Sequence, residues 1–217
     1  MFWALNQDNI SMFLLKQTLK LHNFAYRLAS FLAIKAEQAV HPKHRLIGYH
    51  QFFLSQINSQ DRVLDIGCGS GELAFDLAKK CQFVLGLDIS SKNIHHAQQK
   101  HILPNLRFIE TDILSFETKE RFDAAALSNV LEHIKTRVEV LKKVKALAAK
   151  ILIRVPLFNR DWITLYKKEL GLEYRLDKTH QVEYTFPTFQ KEIEMAGLKI
   201  EFFSIQFGEI WAVCKNN

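Results

Sequence analysis

The sequence predicts an α/β fold in which a mostly parallel sheet of repeated strand-helix units ends in an antiparallel hairpin and follows a helical extension. Three observations predict it. Beyond Asp61, short apolar runs alternate with stretches of helical periodicity, the pattern of βα units wound on a parallel sheet. The runs 124–127 and 151–153 are apolar throughout, which suits strands covered on both faces. Near the C-terminus two strand-like runs are separated only by Phe207-Gly208, and so short a connection requires antiparallel neighbours.

The elements follow in order. From Ile10 to about Val40, Ile10, Phe13, Leu14, Leu21, Phe24, Leu28, Phe31 and Leu32 recur at helical spacing, giving one long helix or two broken ones. In His41-Pro42-Lys43-His44-Arg45 the proline should stop that helix, and a second amphipathic segment covers 46–57. Residues 1–60 are therefore read as a helical extension or cap. Strands are predicted at 62–66, 83–88, 106–111, 122–128 and 150–155, with helices at 72–80, 91–101 and 136–149 between them. The stretch 157–184 is aromatic and charged without a repeat, and reads as an insertion at about 157–185 over the C-terminal edge of the sheet. A helix at 188–196, stopped by Gly197, precedes the hairpin strands 199–206 and 209–213, so 61–217 form one domain.

Bulk properties narrow the function classes. With 217 residues, 48% hydrophobic and 24% charged, the chain has a globular composition. Lys16, Lys20, Arg27 and Lys35 interrupt the most apolar stretch, so no membrane span is expected. The first residues lack the basic cluster and cleavage site of a secretory signal, which makes a cytoplasmic location the expectation. Cys68, Cys81 and Cys214 are too scattered for a disulfide framework or paired zinc ligands. A formal charge of +6, dispersed rather than blocked, points to an anionic acceptor, with nucleic acid as an alternative partner.

The chemistry concentrates in Val63-Leu64-Asp65-Ile66-Gly67-Cys68-Gly69-Ser70-Gly71-Glu72-Leu73, where an apolar strand runs into alternating glycines and then a helix. Glycines let the backbone turn sharply and let a ligand lie against the peptide groups, and a helix N-terminus offers N–H groups to a carboxylate. Alone, the pattern also fits a tight structural turn. The next strand ends in Gly86-Leu87-Asp88, which places a carboxylate where it can accept both hydroxyls of a ribose. The strand after that ends in Glu110-Thr111-Asp112-Ile113, suited to an adenine amino group and ring, although either aspartate alone also fits a solvated helix cap. The dinucleotide-dehydrogenase fingerprint needs a different third-glycine spacing from the strict alternation of Gly67, Gly69 and Gly71.

Across 63–157 these residues resemble the class I S-adenosylmethionine-dependent methyltransferases, whose sheet is Rossmann-like and seven-stranded. Leu127-Ser128-Asn129-Val130-Leu131-Glu132-His133-Ile134 is similar to the fourth-strand motif of the ubiquinone-biosynthesis branch. The resemblance implies S-adenosylmethionine as cofactor and S-adenosylhomocysteine as product. It implies cofactor contacts from Asp65, Gly67, Cys68, Gly69, Gly71, Asp88, Ile89, Asp112, Ile113, Ser128 and Asn129. Within that set Asp65 and Gly67 would face the methionine amino group and carboxylate, and Asn129 would contribute its backbone.

Methyl transfer from a sulfonium needs an in-line nucleophile, a dry site and sometimes a base. His133 is the candidate base; alternatively Glu132 and His133 form a polar network at a helix start. Metal-dependent small-RNA ribose methyltransferases carry a similar Glu-His pair after an earlier Glu, where this chain has Asn129. No metal is therefore assigned, although His180 could contribute to one. Acceptor contacts are expected from His41, His44, Arg45 and Tyr49, and from Arg154, Arg160, Trp162, Arg175 and His180, with Arg154 overhanging the methyl donor. Glu209 and Trp211 read as structural. The resulting expectation is a methyltransferase acting on a small anionic acceptor, preferentially at oxygen; the alternatives are an RNA methyltransferase and a non-catalytic cofactor-binding module. The apolar stripe of the first helix must be covered, by the active site or by a second copy in a homodimer.

Overall fold

The computed structural model describes residues 2–37 and 41–216, with side chains from residue 9 onward. In chain order the elements are α1 (Phe2–Ala36), α2 (Lys43–Ile47), α3 (Tyr49–Ser55), β1 (Arg62–Ile66), α4 (Glu72–Ala78), β2 (Phe83–Asp88), α5 (Ser91–Lys100) and β3 (Leu106–Glu110). Then follow β4 (Phe122–Ser128), a single 3-10 turn (Leu131–His133), α6 (Arg137–Leu147), β5 (Ala148–Pro156), α7 (Trp162–Glu169), α8 (Phe186–Met195), β6 (Leu198–Gln206) and β7 (Glu209–Asn216). By internal contacts the chain forms two compact units, one of Met1–Gly48 with Asp161–Lys178 and the other of Tyr49–Arg160 with Thr179–Asn217.

The first unit is helical. α1 is one helix rather than two. Its predicted end, at residues 38–40, lies outside the described residues. Pro42 does not terminate α1; with φ −58° it stands immediately before α2, where its fixed φ is already helical. The insertion expected to be irregular contains α7, started by Asp161, whose side chain accepts from the Thr164 N–H at 2.7 Å. Asn23 of α1 donates to the Glu173 carbonyl at 2.7 Å and accepts from Lys167 Nζ of α7 at 2.6 Å, tying one face of α1 to that segment. Ile10, Phe13, Leu14, Leu21, Phe24, Leu28, Phe31 and Leu32 remain exposed. No helix among the described residues is long and apolar enough to cross a membrane.

The second unit holds a seven-stranded sheet of order β3-β2-β1-β4-β5-β7-β6. The first five strands pair in parallel, and β7 runs antiparallel between β5 and β6. The predicted hairpin is present, turning through Phe207 and Gly208 with φ of +52° and +72°, the left-handed geometry of a tight two-residue loop. Residues 124–127 of β4 are fully buried, as their unbroken apolarity predicts. The strand order reverses between β1 and β4, so the crevice of this sheet opens at the carboxyl ends of those two strands.

Boundaries shift where local chemistry was overlooked. The segment 46–57 is two short helices because Gly48, at φ +60°, breaks it. α8 starts at Phe186 rather than 188, since Thr185 and Thr188 form a reciprocal capping box and a proline occupies the first turn.

Candidate active site

The glycine turn sits at the reversal point of the sheet. Gly67, Gly69 and Gly71 all have left-handed φ, at +66°, +56° and +88°, but they serve different ends. A Cβ on Gly67 would stand 2.6 Å from Val130 Cγ2, and one on Gly71 would stand 2.7 Å from the Phe108 ring. Those two glycines let the turn pack closely against Val130, beyond β4, and against Phe108 of β3. A Cβ on Gly69 would meet nothing within 4 Å, so only there does the loop turn its bare backbone toward open space. Gly86, two residues before Asp88 in β2, is a packing glycine too, with Phe108 and Cys68 Sγ where its Cβ would be.

Gly67→Ala and Gly69→Ala should therefore diverge in urea denaturation. The first combines left-handed strain with overpacking and is expected to cost about 2–4 kcal/mol; the second carries strain alone, about 1–2 kcal/mol. Equal losses would show that the contact with Val130 yields freely.

Asp88 latches the turn. Its Oδ2 accepts from the Gly69 N–H at 2.9 Å, and its Oδ1 accepts from the Ser90 N–H at 2.8 Å and from Asn93 Nδ2 at 3.3 Å. Asp65, 2% exposed at the end of β1, has an Oδ2 without a hydrogen-bond partner among the described residues. Burial, and secondarily the neighbouring Asp88 carboxylate, push its carboxyl up to about 8. The N-terminus of α4 is a poorer anion site than its position promised: Glu72 occupies the first turn, where it pairs with Lys100 at 2.9 Å.

The remaining cofactor candidates spread along neighbouring strand ends. Ile89 is exposed, whereas Cys68 is buried, with burial pushing its thiol well up. Asp112 is exposed and accepts from the Leu114 N–H at 2.8 Å, a local turn. Ile113 belongs to the hydrophobic core, so a ring at this edge would meet exposed Leu114 instead. At the end of β4, Asn129 adopts φ +57°, unusual for a residue with a Cβ, and donates its N–H to the Arg154 carbonyl at 2.8 Å. Its Oδ1 is buried without a partner among the described residues.

Beyond Asn129 the fold assembles a histidine-carboxylate cluster. Glu132 is 0% exposed, both of its carboxylate oxygens lack hydrogen-bond partners among the described residues, and burial pushes it up to about 7. Its carbonyl accepts from the Gln181 N–H at 2.7 Å, which draws His180 alongside. The His133 and His180 rings meet edge to face at 4.7 Å. His133 Nδ1 lies 2.9 Å from Thr179 Oγ1, and His180 Nδ1 lies 3.2 Å from Glu183 Oε1. Arg160, an expected acceptor contact, forms an ion pair with Glu183 and donates to the Leu157 carbonyl at 2.9 Å.

Arg154 does not overhang the crevice. It is 3% exposed and forked onto Glu209, Nε to Oε2 at 2.5 Å and the terminal nitrogen to Oε1 at 2.7 Å, with its guanidinium 3.9 Å from the centre of the buried Tyr49 ring. Its charge is spent on Glu209, which also accepts from Trp211 Nε1 at 3.0 Å. The other acceptor candidates, His41, His44, Arg45, Trp162 and Arg175, belong to the first unit. There His41 Nε2 lies 2.9 Å from Ser30 Oγ, Arg45 pairs with Glu37 at 2.7 Å, Arg175 pairs with Glu173 at 2.8 Å, and Trp162 is exposed.

Residues 57–160 match a family model described as a methyltransferase domain. Over that stretch the chain is similar to a methyltransferase domain. Among similar curated proteins, a ubiquinone biosynthesis O-methyltransferase of Bradyrhizobium diazoefficiens is 35% identical over 53% of this chain and 47% of the relative. An (S)-coclaurine N-methyltransferase of Papaver somniferum is 36% identical over 42% of this chain and 27% of the relative. The chain thus spans about half, or less, of the length of the curated relatives it matches. The fold is like that of magnesium protoporphyrin IX methyltransferase from Synechocystis, crystallised with S-adenosylhomocysteine, at a TM-score of 0.64, with 18% identity and 81% and 83% of the two chains covered.

The residues of the matched stretch fit S-adenosylmethionine. The partnerless oxygen of buried Asp65 suits an ammonium group, the latched Asp88 retains acceptor capacity for hydroxyls, and Gly69 leaves backbone bare beside them. Sequence reasoning missed Thr179; it read Glu209 as structural, which its pairing with Arg154 and Trp211 bears out, but nothing in the sequence signalled that partner.

Proposed function

We propose that this chain transfers the methyl group of S-adenosylmethionine to an oxygen of a small anionic acceptor, in the cytoplasm. The observation that carries the reading is the conjunction at the end of β1: bare backbone at Gly69 beside a buried, partnerless Asp65 oxygen. Asp65 would hold the methionine amino group, Asp88 the ribose hydroxyls, and the Asn129 turn the methionine end. Ile89 and Leu114 would flank the adenine ring. When bound, the cofactor supplies a methyl group on a sulfonium, and a neutral thioether leaves. Burial of β1 and β4 around this end keeps water away, and His133 receives the proton that the acceptor oxygen loses. A small acceptor methylated at oxygen is favoured by the likeness to an O-methyltransferase of ubiquinone biosynthesis, and an anionic one by the formal charge of +6. Three buried cysteines in the thiol form suit a reducing compartment.

Calorimetric titration tests the donor site. Micromolar binding of S-adenosylmethionine and S-adenosylhomocysteine, with none of NAD, is expected; no binding of the first two would overturn the reading. The pH dependence is specific. Asp65 must ionise to pair with an ammonium, so affinity should climb about tenfold per unit as pH rises from 6 toward 8, with a proton released on binding. Without ligand the same raised carboxyl works against the fold. The native state then binds its proton more tightly than the unfolded chain, so its contribution to stability falls as pH rises from about 4 through 8. Asp65→Asn should flatten the affinity profile, and a flat profile in the unaltered protein would remove Asp65 from the site.

A further inference from the structure

We propose that the open edge of β6 pairs with β6 of a second copy of this chain, antiparallel about a two-fold axis at Ser204, so that the two sheets join into one. β6 ends the sheet, with β7 on one side and no strand on the other among the described residues. Its open run carries Phe202, Phe203, Ile205 and Phe207, between 44% and 63% exposed, and no charge or proline from 202 to 208. Sheet edges are ordinarily guarded by charge, and the opposite edge is: β3 carries Arg107 and Glu110.

The hairpin fixes which backbone groups are open. Its two-residue turn, with both φ values positive, closes on the pair Gln206–Glu209, and hydrogen-bonded and open pairs alternate from there. Gln206, Ser204 and Phe202 therefore turn their N–H and C=O groups to β7, while Phe203 and Ile205 turn theirs outward. An antiparallel copy centred on Ser204 sets Phe203 opposite the partner's Ile205 and Ile205 opposite the partner's Phe203, each pair exchanging both of its N–H···O=C bonds. These are favourable aromatic to β-branched pairs. Ser204, the smallest side chain of the run, meets its own copy on the axis, where Cα atoms stand about 4.5 Å apart.

The bulge between Ile200 and Phe202 confines the ladder to the residues after it, and Glu201 there is already paired with Lys215 at 2.9 Å, so no like charges come to stand opposite each other. The four apolar side chains expose roughly 400 Å² in each copy, and with the paired backbones the contact approaches the lower range of specific interfaces, about 1,200 Å² in total. The stripe on α1 is the poorer self-partner. Between residues 9 and 36 that helix carries Lys16, Lys20, Arg27 and Lys35 and no acidic residue, so two copies would bring cation against cation. The pairing does not rest on the donor reading and is tested without a cofactor.

Sedimentation equilibrium of the full chain at about 1–100 µM reads the association. A reversible dimer is expected, weakened at least about tenfold in Phe203→Lys and in Ile205→Lys and unchanged in Leu28→Lys on α1. Ser204→Cys should cross-link into a covalent dimer under mild oxidation, because directly opposed positions lie within disulfide reach; Gln206→Cys, roughly 14 Å from its own copy, should not. The native cysteines are buried and give no background. A monomer throughout overturns the proposal and leaves the edge to a strand of another protein. A dimer that Ile205→Lys leaves intact overturns it too, as does equal cross-linking at 204 and 206. Phe203 stacks on Phe186 at 4.1 Å, so should Phe203→Lys fail to fold by circular dichroism, Ile205→Lys and the Ser204→Cys cross-link decide.

Discussion

Arg154→Ala is expected to lower the unfolding free energy by about 3–5 kcal/mol, the cost of stranding one member of a buried ion pair. In the register of β5 against β7, Arg154 stands opposite Trp211 and Pro156 opposite Glu209, so the guanidinium reaches diagonally across the pair to the carboxylate. Removing it leaves Glu209 buried with only the Trp211 indole N–H, and strips the cation from the face of Tyr49. The destabilisation arises from the orphaned carboxylate more than from the lost attraction. Glu209→Gln in the same background should therefore recover much of the loss. Urea denaturation of the two single variants and the double variant forms the cycle that measures it. A loss below about 1 kcal/mol in Arg154→Ala would mean that water reaches Glu209 and that the pair is effectively a surface one.

Asp88→Ala should weaken S-adenosylmethionine binding by about 2 kcal/mol or more, roughly thirtyfold, with the fold retained. Two losses combine: the acceptor proposed for the ribose hydroxyls, and the latch on the Gly69 N–H that holds the bare loop in place. Asp88→Asn separates them, since an amide oxygen can still accept from Gly69 while the charge is gone. Because the Asp88 carboxylate helps to raise Asp65, its removal should also move the pH dependence of affinity to lower pH. Calorimetry across pH reads both effects, and an unchanged affinity in a folded Asp88→Ala would withdraw the ribose assignment.

The parts of the site legible in the sequence are those built by neighbours in the chain. Strand, glycine turn and helix are adjacent at 63–73, and the acidic residues at the next two strand ends recur with the βα repeat. Local rules would also have exposed some errors: Gly48 as a helix break, Asp161 as the cap of α7, and Thr185 with Thr188 as the start of α8. Ile113 stands beside Asp112 and reads as a contact of a ligand ring, but the turn after β3 points it into the core and leaves Leu114 outside.

What the sequence determined by itself is the alternating architecture, the antiparallel close and the glycine turn with acidic residues at the three strand ends proposed to hold the cofactor, because periodicity, glycine geometry and turn length act over a few residues. What only the tertiary structure decided is which charges are already spent and which side chains meet. Arg154 reads as an anion receptor until the β5–β7 register brings Glu209 to it. Glu132, His133 and His180 become one cluster only when the chain returns along the Glu132 carbonyl. Residue types announce capacity for chemistry, but pairing between distant segments depends on strand order, register and loop path, which no local pattern encodes.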